Sequence, residues 1–165
     1  MNVGTMTGKS REVADLMDRR RLGVLCVQET RWKGNKAREL YGCKLLYSGA
    51  NEQGRNGVGI ILSKDLIDSL VEVNRRSDRV MSIKLGLGAT SVNVICAYAP
   101  QSGSTEEVKN SFWEEMDQEL RAIPSRERVI IGGDLNGHLG SSRNGIDRVH
   151  GGWGVGDRNE EGESD

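Results

Sequence analysis

The chain has 165 residues, a formal net charge of −1 and a hydrophobic share of 36%. The length suits one domain, and the charge balance excludes both a strongly basic nucleic-acid glove and an acidic tail protein. No apolar run approaches the roughly 18 residues of a membrane span, no N-terminal stretch reads as a signal peptide, and the three Cys lack the spacing of a zinc site.

Met1–Val3 is too short for a central strand and leads straight into a Gly-Thr turn. Ser10–Arg21 has helical spacing, with Val13, Leu16, Met17 and Arg20 on one face. Apolar runs rich in Val and Ile predict strands at Leu22–Gln28, Gly57–Ser63, Val80–Leu85, Ser91–Ala99 and Val129–Gly132, with a weaker one at Gly42–Gly49. Thr105–Ile123 predicts a second helix, with Val108, Phe112, Met116 and Leu120 at four-residue steps. Ser104 and Glu107 have capping-box spacing, and Pro124 stops the helix. Successive strands with short turns predict antiparallel pairing, and the helices read as outer layers. The class is α/β (α+β), not a simple alternating pattern. Eight of the 22 Gly fall in 137–165, which reads as a long loop or disordered tail. Cys26 and Cys96 sit inside apolar runs and read as buried free thiols of an intracellular protein, nuclear or cytoplasmic.

Gly4-Thr5-Met6-Thr7-Gly8-Lys9-Ser10 invites a phosphate-loop reading. That motif needs four residues between its glycines, and here there are three. One residue fewer alters the cradle of backbone N–H groups, so the reading fails on spacing.

The stronger signal is a pair of acids, each beyond the carboxyl end of an apolar strand. Glu29 follows Leu22–Gln28, and Asp134 follows Val129–Gly133. Ligands of layered α/β proteins collect at such ends, although either acid alone is equally a turn or cap carboxylate. Mg²⁺ prefers hard oxygen ligands and needs only one or two protein carboxylates. Glu29 suits that ligand role. Asp134 suits taking a proton from an attacking water, and Asn136 orienting that water or a phosphate oxygen. Tyr98 reads either as a half-buried strand aromatic or as a phenol that donates to a phosphate.

Four motifs, in order, resemble those of the endonuclease/exonuclease/phosphatase family. They are Asn2-Val3-Gly4-Thr5, Val27-Gln28-Glu29-Thr30, Ala97-Tyr98-Ala99-Pro100 and Gly133-Asp134-Leu135-Asn136. A narrower likeness is carried by residues 2–9 (NVGTMTGK), 25–33 (LCVQETRWK), 77–83 (SDRVMSI) and 132–138 (GGDLNGH). These are similar to RTE-type non-LTR retrotransposon endonuclease domains and their host-genome relatives. The resemblance implies a four-layered α/β sandwich of the DNase I-like type and Mg²⁺-dependent hydrolysis of a DNA phosphodiester, with Mn²⁺ as a possible substitute. It implies that Glu29 and Asn2 bind the metal, that Asn2 and Asn136 position metal or phosphate, and that Asp134 aligns or deprotonates the water. Tyr98 would support the phosphate, and Gln101 falls where relatives carry a phosphate-contacting side chain.

Departures shape the expectation. Gly4 stands where apurinic endonucleases place a further acid. The family's later Trp-Ser-Pro-like segment, second Asp and Ser-Asp-His are not in the chain, and neither His138 nor His150 follows a Ser-Asp. The expectation is a C-terminally truncated domain: residues 1–136 a partial catalytic domain, residues 137–165 a Gly-rich loop or tail, and the isolated chain weak or inactive. Arg31, Lys33, Lys36 and Arg38, with Trp32 among them, read as a solvated loop or as a phosphate-backbone contact. Arg19-Arg20-Arg21 reads as a complement to a helix dipole or, as the alternative, a nuclear signal, and Arg75, Arg76 and Arg79 as a third basic cluster near a turn. At a net charge of −1, DNA binding is expected to be weak and steeply salt-dependent. Two further readings stand beside the nuclease: a non-catalytic interaction protein that keeps part of the fold, and a small-molecule phosphoesterase of the same superfamily.

Overall fold

The computed structural model describes residues 1–136 and the backbone of Gly154–Val155. His138, His150 and the other residues of 137–165 lie outside the described residues. In chain order the elements are helix α1 (Ser10–Arg20), strands β1 (Val24–Gln28), β2 (Lys36–Leu40), β3 (Cys43–Ser48) and β4 (Val58–Leu62), and a 3₁₀ helix (Lys64–Ser69). There follow strands β5 (Leu70–Arg75), β6 (Val80–Leu87) and β7 (Thr90–Tyr98), helix α2 (Glu106–Arg121), and strands β8 (Arg128–Asp134) and β9 (Gly154–Val155). The strands form a four-stranded sheet, order β1-β4-β3-β2, and a five-stranded sheet, order β5-β6-β7-β8-β9. Pairing is antiparallel except at β7–β8 and β8–β9, where α2 supplies the crossover that lets β7 and β8 run side by side. No helix among the described residues is long and apolar enough to cross a membrane.

Period-two alternation builds four layers. On β4, Val58, Ile60 and Leu62 face the second sheet, while Ile61 faces α1. On β7, Val94, Cys96 and Tyr98 face the first sheet, while Ile95 and Ala97 face α2. Three cores result: α1 on the first sheet through Val13 and Met17, sheet on sheet, and α2 on the second sheet through Phe112, Met116 and Leu120. Each fully buried Ile or Leu is worth about 1.5–3 kcal/mol. The expected four-layered α/β sandwich is thus present. The alternation also delivers Tyr98 to the open end of the gap between the sheets.

Local departures from the sequence reading have physical causes. Strand β2 is exposed at four of five positions, so no alternation marks it, and β5 is an edge strand with Val71 66% exposed. The α2 cap is Thr105, whose Oγ1 accepts from the Val108 N–H at 3.3 Å, one residue after the expected Ser104. Arg20 and Val108 are exposed, outside the buried faces assigned to them. Lys9 donates to the Val3 carbonyl at 2.5 Å, so this lysine is tied to its own loop.

The third basic cluster is spent internally. Arg75 donates to the carbonyls of Tyr47 and Lys36, and Arg76 pairs with Glu119 at 2.6 Å. Glu119 also accepts from Asn74 at 3.0 Å and from the Ser82 hydroxyl, which pins α2 to β5 and β6.

Candidate active site

The stub around Asn2 lies parallel to β1. The Val3 N–H donates to the Gln28 carbonyl at 2.9 Å, and the Gln28 N–H to the Met1 carbonyl at 3.0 Å. This puts Asn2 beside Glu29, whose backbone turns left-handed at φ 59°. Glu29 Oε1 accepts from Asn2 Nδ2 at 3.1 Å and from the Tyr98 hydroxyl at 2.5 Å. Glu29 Oε2 faces Arg31 Nη2 at 3.3 Å, and that arginine side chain is 53% exposed. The Tyr98 hydrogen bond holds the Glu29 carboxyl below the usual range, against an opposing push from burial and with help from Asn2 and Arg31. Burial first, then the hydrogen bond to Glu29, pushes the Tyr98 phenol up to about 12.

The second half of the site comes from β8. The parallel register sets Tyr98 opposite Asp134. Gly133 makes that approach possible, and Gly132 lets β8 pack close against β1 of the other sheet. A Cβ on Gly133 would lie 2.0 Å from the Ala97 carbonyl oxygen, and one on Gly132 would lie 2.7 Å from Cys26 Sγ. Asn136, left-handed at φ 46°, closes the turn: its N–H donates to Asp134 Oδ1 at 3.1 Å and its Nδ2 to the Ala99 carbonyl at 2.5 Å.

Asn2, Glu29 and Tyr98 are therefore in direct hydrogen-bond contact, and Asp134 and Asn136 adjoin them through the β7–β8 register. Gln101 is exposed and takes no part in these contacts. Two details differ from the sequence reading. Tyr98 gives its proton to Glu29 instead of the open cleft, and Asn2 Oδ1 is engaged by the Gly4 N–H at 3.0 Å. Asn2 here braces the carboxylate. The donor set fits a hard cation. Glu29 offers a fixed carboxylate with 19% of its side chain exposed, and Asp134 stands opposite Tyr98 in the β7–β8 register. Among the described residues no three His, Cys, Asp or Glu side chains gather, and a Mg²⁺ site built on one or two carboxylates does not require it.

Flanking groups set the rim. Lys33 and Lys36 are exposed, while Arg38 lies 4.3 Å above the Trp32 ring. The Trp32 indole donates to the Thr7 hydroxyl at 3.1 Å. Thr30 is fully buried, its Oγ1 packed where a Gly57 Cβ would come within 2.4 Å. Arg79 was legible as part of a basic cluster and of the segment 77–83, but without a role of its own. It lies 5.2 Å from the Tyr98 ring centroid and donates to the Tyr98 carbonyl at 3.1 Å.

The chain belongs to the endonuclease/exonuclease/phosphatase family, whose model matches residues 1–162. Craniofacial development protein 2 of Bos taurus is 29% identical over 162 residues, which cover 98% of this chain and 27% of the relative. The chain thus spans about a quarter of that relative's length. Among solved structures, an AP endonuclease from Archaeoglobus fulgidus superposes with a TM-score of 0.64 at 22% identity, covering 86% of this chain and 57% of that one. The endonuclease domain of TRAS1, a telomere-specific non-LTR retrotransposon, superposes with a TM-score of 0.60 at 17% identity, covering 90% and 63%. These likenesses establish the DNase I-like fold.

Proposed function

We propose that this chain carries residues of a Mg²⁺-dependent phosphodiester hydrolase site that acts on DNA and descends from a retrotransposon endonuclease. The observation that carries the reading is the Glu29 carboxylate, held by Asn2 and Tyr98 at the mouth of the gap between the sheets, with Asp134 and Asn136 beside it. Membership of the family and the likeness to an AP endonuclease and a retrotransposon endonuclease domain support the substrate class.

Glu29 would hold the cation, with Asn2 and Tyr98 fixing its carboxylate. Bound Mg²⁺, or Mn²⁺ in its place, would supply Lewis-acid stabilisation of charge on the phosphate. Asp134 takes a proton from the attacking water, and Asn136, clamped to Ala99, orients that water through its amide. Lys33 and Lys36 meet the phosphate backbone weakly and with steep salt dependence. The free thiols suit an intracellular setting, nuclear or cytoplasmic.

Plasmid nicking tests the reading. Slow conversion of supercoiled to open-circular DNA is expected with Mg²⁺, lost with EDTA and lost in Glu29→Ala. Nicking that survives Glu29→Ala, or hydrolysis of a phosphorylated inositol with none of DNA, contradicts it.

A further inference from the structure

The segment Ser77–Ile83 stands out in the sequence, yet none of its side chains enters the chemistry above. Its position explains it. Arg79 immediately precedes β6, directly across from Tyr98, as the Val80–Ala97 pairing requires. The Tyr98 N–H donates to the Arg79 carbonyl at 2.8 Å, and Arg79 Nη1 donates back to the Tyr98 carbonyl at 3.1 Å. The guanidinium then lies over the phenol ring, 5.2 Å from its centroid. Arg79 thus holds Tyr98 by main chain and by ring face together.

Arg79 is itself anchored on two sides. Ser77 Oγ accepts from the Arg79 N–H at 3.1 Å and donates to Glu115 on α2 at 2.7 Å. On the other side the Gly57 N–H donates to the Asp78 carbonyl at 3.0 Å, and Asn56 Nδ2 to Asp78 Oδ2 at 2.6 Å. Gly57 in turn accepts from the Thr30 N–H at 3.1 Å, next to Glu29. The contacts close a ring: Glu29, Thr30, Gly57, Asp78, Arg79, Tyr98 and back to Glu29. This ring joins the two sheets at the rim of the site.

We propose that Arg79 is the positioning residue for Tyr98, aiming the phenol hydroxyl at Glu29 across the gap between the sheets. The catalytic part of this inference rests on the hydrolase reading above, but the positioning part does not. Arg79 makes no hydrogen bond to Glu29, so its effect on that carboxylate passes through Tyr98.

The test uses Arg79→Met, Arg79→Lys, Tyr98→Phe and the Arg79→Met/Tyr98→Phe double variant in the full 165-residue chain. The readouts are Mg²⁺-dependent nicking kinetics and the ring signals of ¹³C-labelled tyrosine. Arg79→Met is expected to lower kcat about tenfold with KM held within about twofold, the size of one part-buried cation–π contact. Arg79→Lys, which keeps the cation, recovers most of that loss. In the Tyr98→Phe background Arg79→Met costs nothing further, because no hydroxyl is left to aim. The Tyr98 ring signals shift in Arg79→Met while those of Tyr47 stay in place. An equal loss in the Tyr98→Phe background, or an unshifted Tyr98 ring, overturns the proposal. Should Arg79→Met fail to fold, Arg79→Lys against Arg79→Gln carries the same comparison. Should the unaltered chain not nick DNA, the hydrolase reading fails while the ring signals still decide whether Arg79 positions Tyr98.

Discussion

Two carboxylates in this molecule have the same kinds of partner and opposite fates. Glu29 accepts from a hydroxyl (Tyr98), an asparagine amide (Asn2) and an arginine (Arg31). Glu119 accepts from a hydroxyl (Ser82), an asparagine amide (Asn74) and an arginine (Arg76). They differ in what remains open. Glu119 is 3% exposed and its arginine closes on it at 2.6 Å. Glu29 is 19% exposed, and its arginine stands at 3.3 Å with more than half of its own side chain in solvent. Glu119 is saturated and fastens a helix. Glu29 is held in place yet stays part-exposed. On the proposed reading, the cation-binding carboxylate is marked less by which groups touch it than by how weakly its cationic partner holds it.

The largest effect separates the two glutamates outright. Glu29→Ala is expected to lower Mg²⁺-dependent nicking by at least about 10²–10³-fold and to cost less stability than Glu119→Ala, because its arginine partner is more than half exposed. Asp134→Asn follows at about 10²-fold, the lower end for loss of a general base, read by the same assay. Glu119→Ala reverses the pattern. It leaves Arg76 part-buried and unpaired and costs about 3 kcal/mol in chemical denaturation, with no change in rate per folded molecule.

Smaller effects sharpen the contrast. Tyr98→Phe removes the leading influence that lowers the Glu29 pKa, so the Glu29 carboxyl titrates at higher pH. The sign follows from linkage. A depressed carboxylate pKa contributes stability that is present above the unfolded-state value and is lost as pH falls through the folded-state value. Tyr98→Phe therefore moves the acid limb of the rate profile upward, seen by carboxyl ¹³C titration beside pH–rate curves. Arg31→Ala is the smallest. An exposed pair is worth about 0–1 kcal/mol, so stability stays within that margin and nicking falls at most about threefold.

Much of the fold was legible because strands buried between layers read as apolar runs. Strands β1, β4, β6 and β7 carry such runs, and each expected run agrees with its strand to within about two residues. Strands β2 and β5 were not legible, since edge strands face water on a side that sequence pattern marks poorly. At the site, Glu29 and Asp134 stood out by ending apolar strands, and the Gly-Gly before Asp134 has a steric reason. The commitments of the polar atoms were hidden. Nothing in the spacing of Asn2, Glu29 and Tyr98 says that the phenol proton goes to Glu29, because that contact spans 69 residues and depends on how the two sheets face each other. The role of Arg79 was obscured for the same reason: its partner lies across a strand pair, while the sequence groups it with Arg75 and Arg76.

The comparison of Glu29 with Glu119 is tested most directly inside one protein, by adding Mn²⁺ and following the side-chain amide signals of Asn2 and Asn74. The account predicts that the paramagnetic ion broadens the Asn2 signals, that Asn74 stays sharp, and that Glu29→Gln abolishes the broadening. Sharp Asn2 signals at saturating Mn²⁺, or equal broadening of both amides, would contradict it.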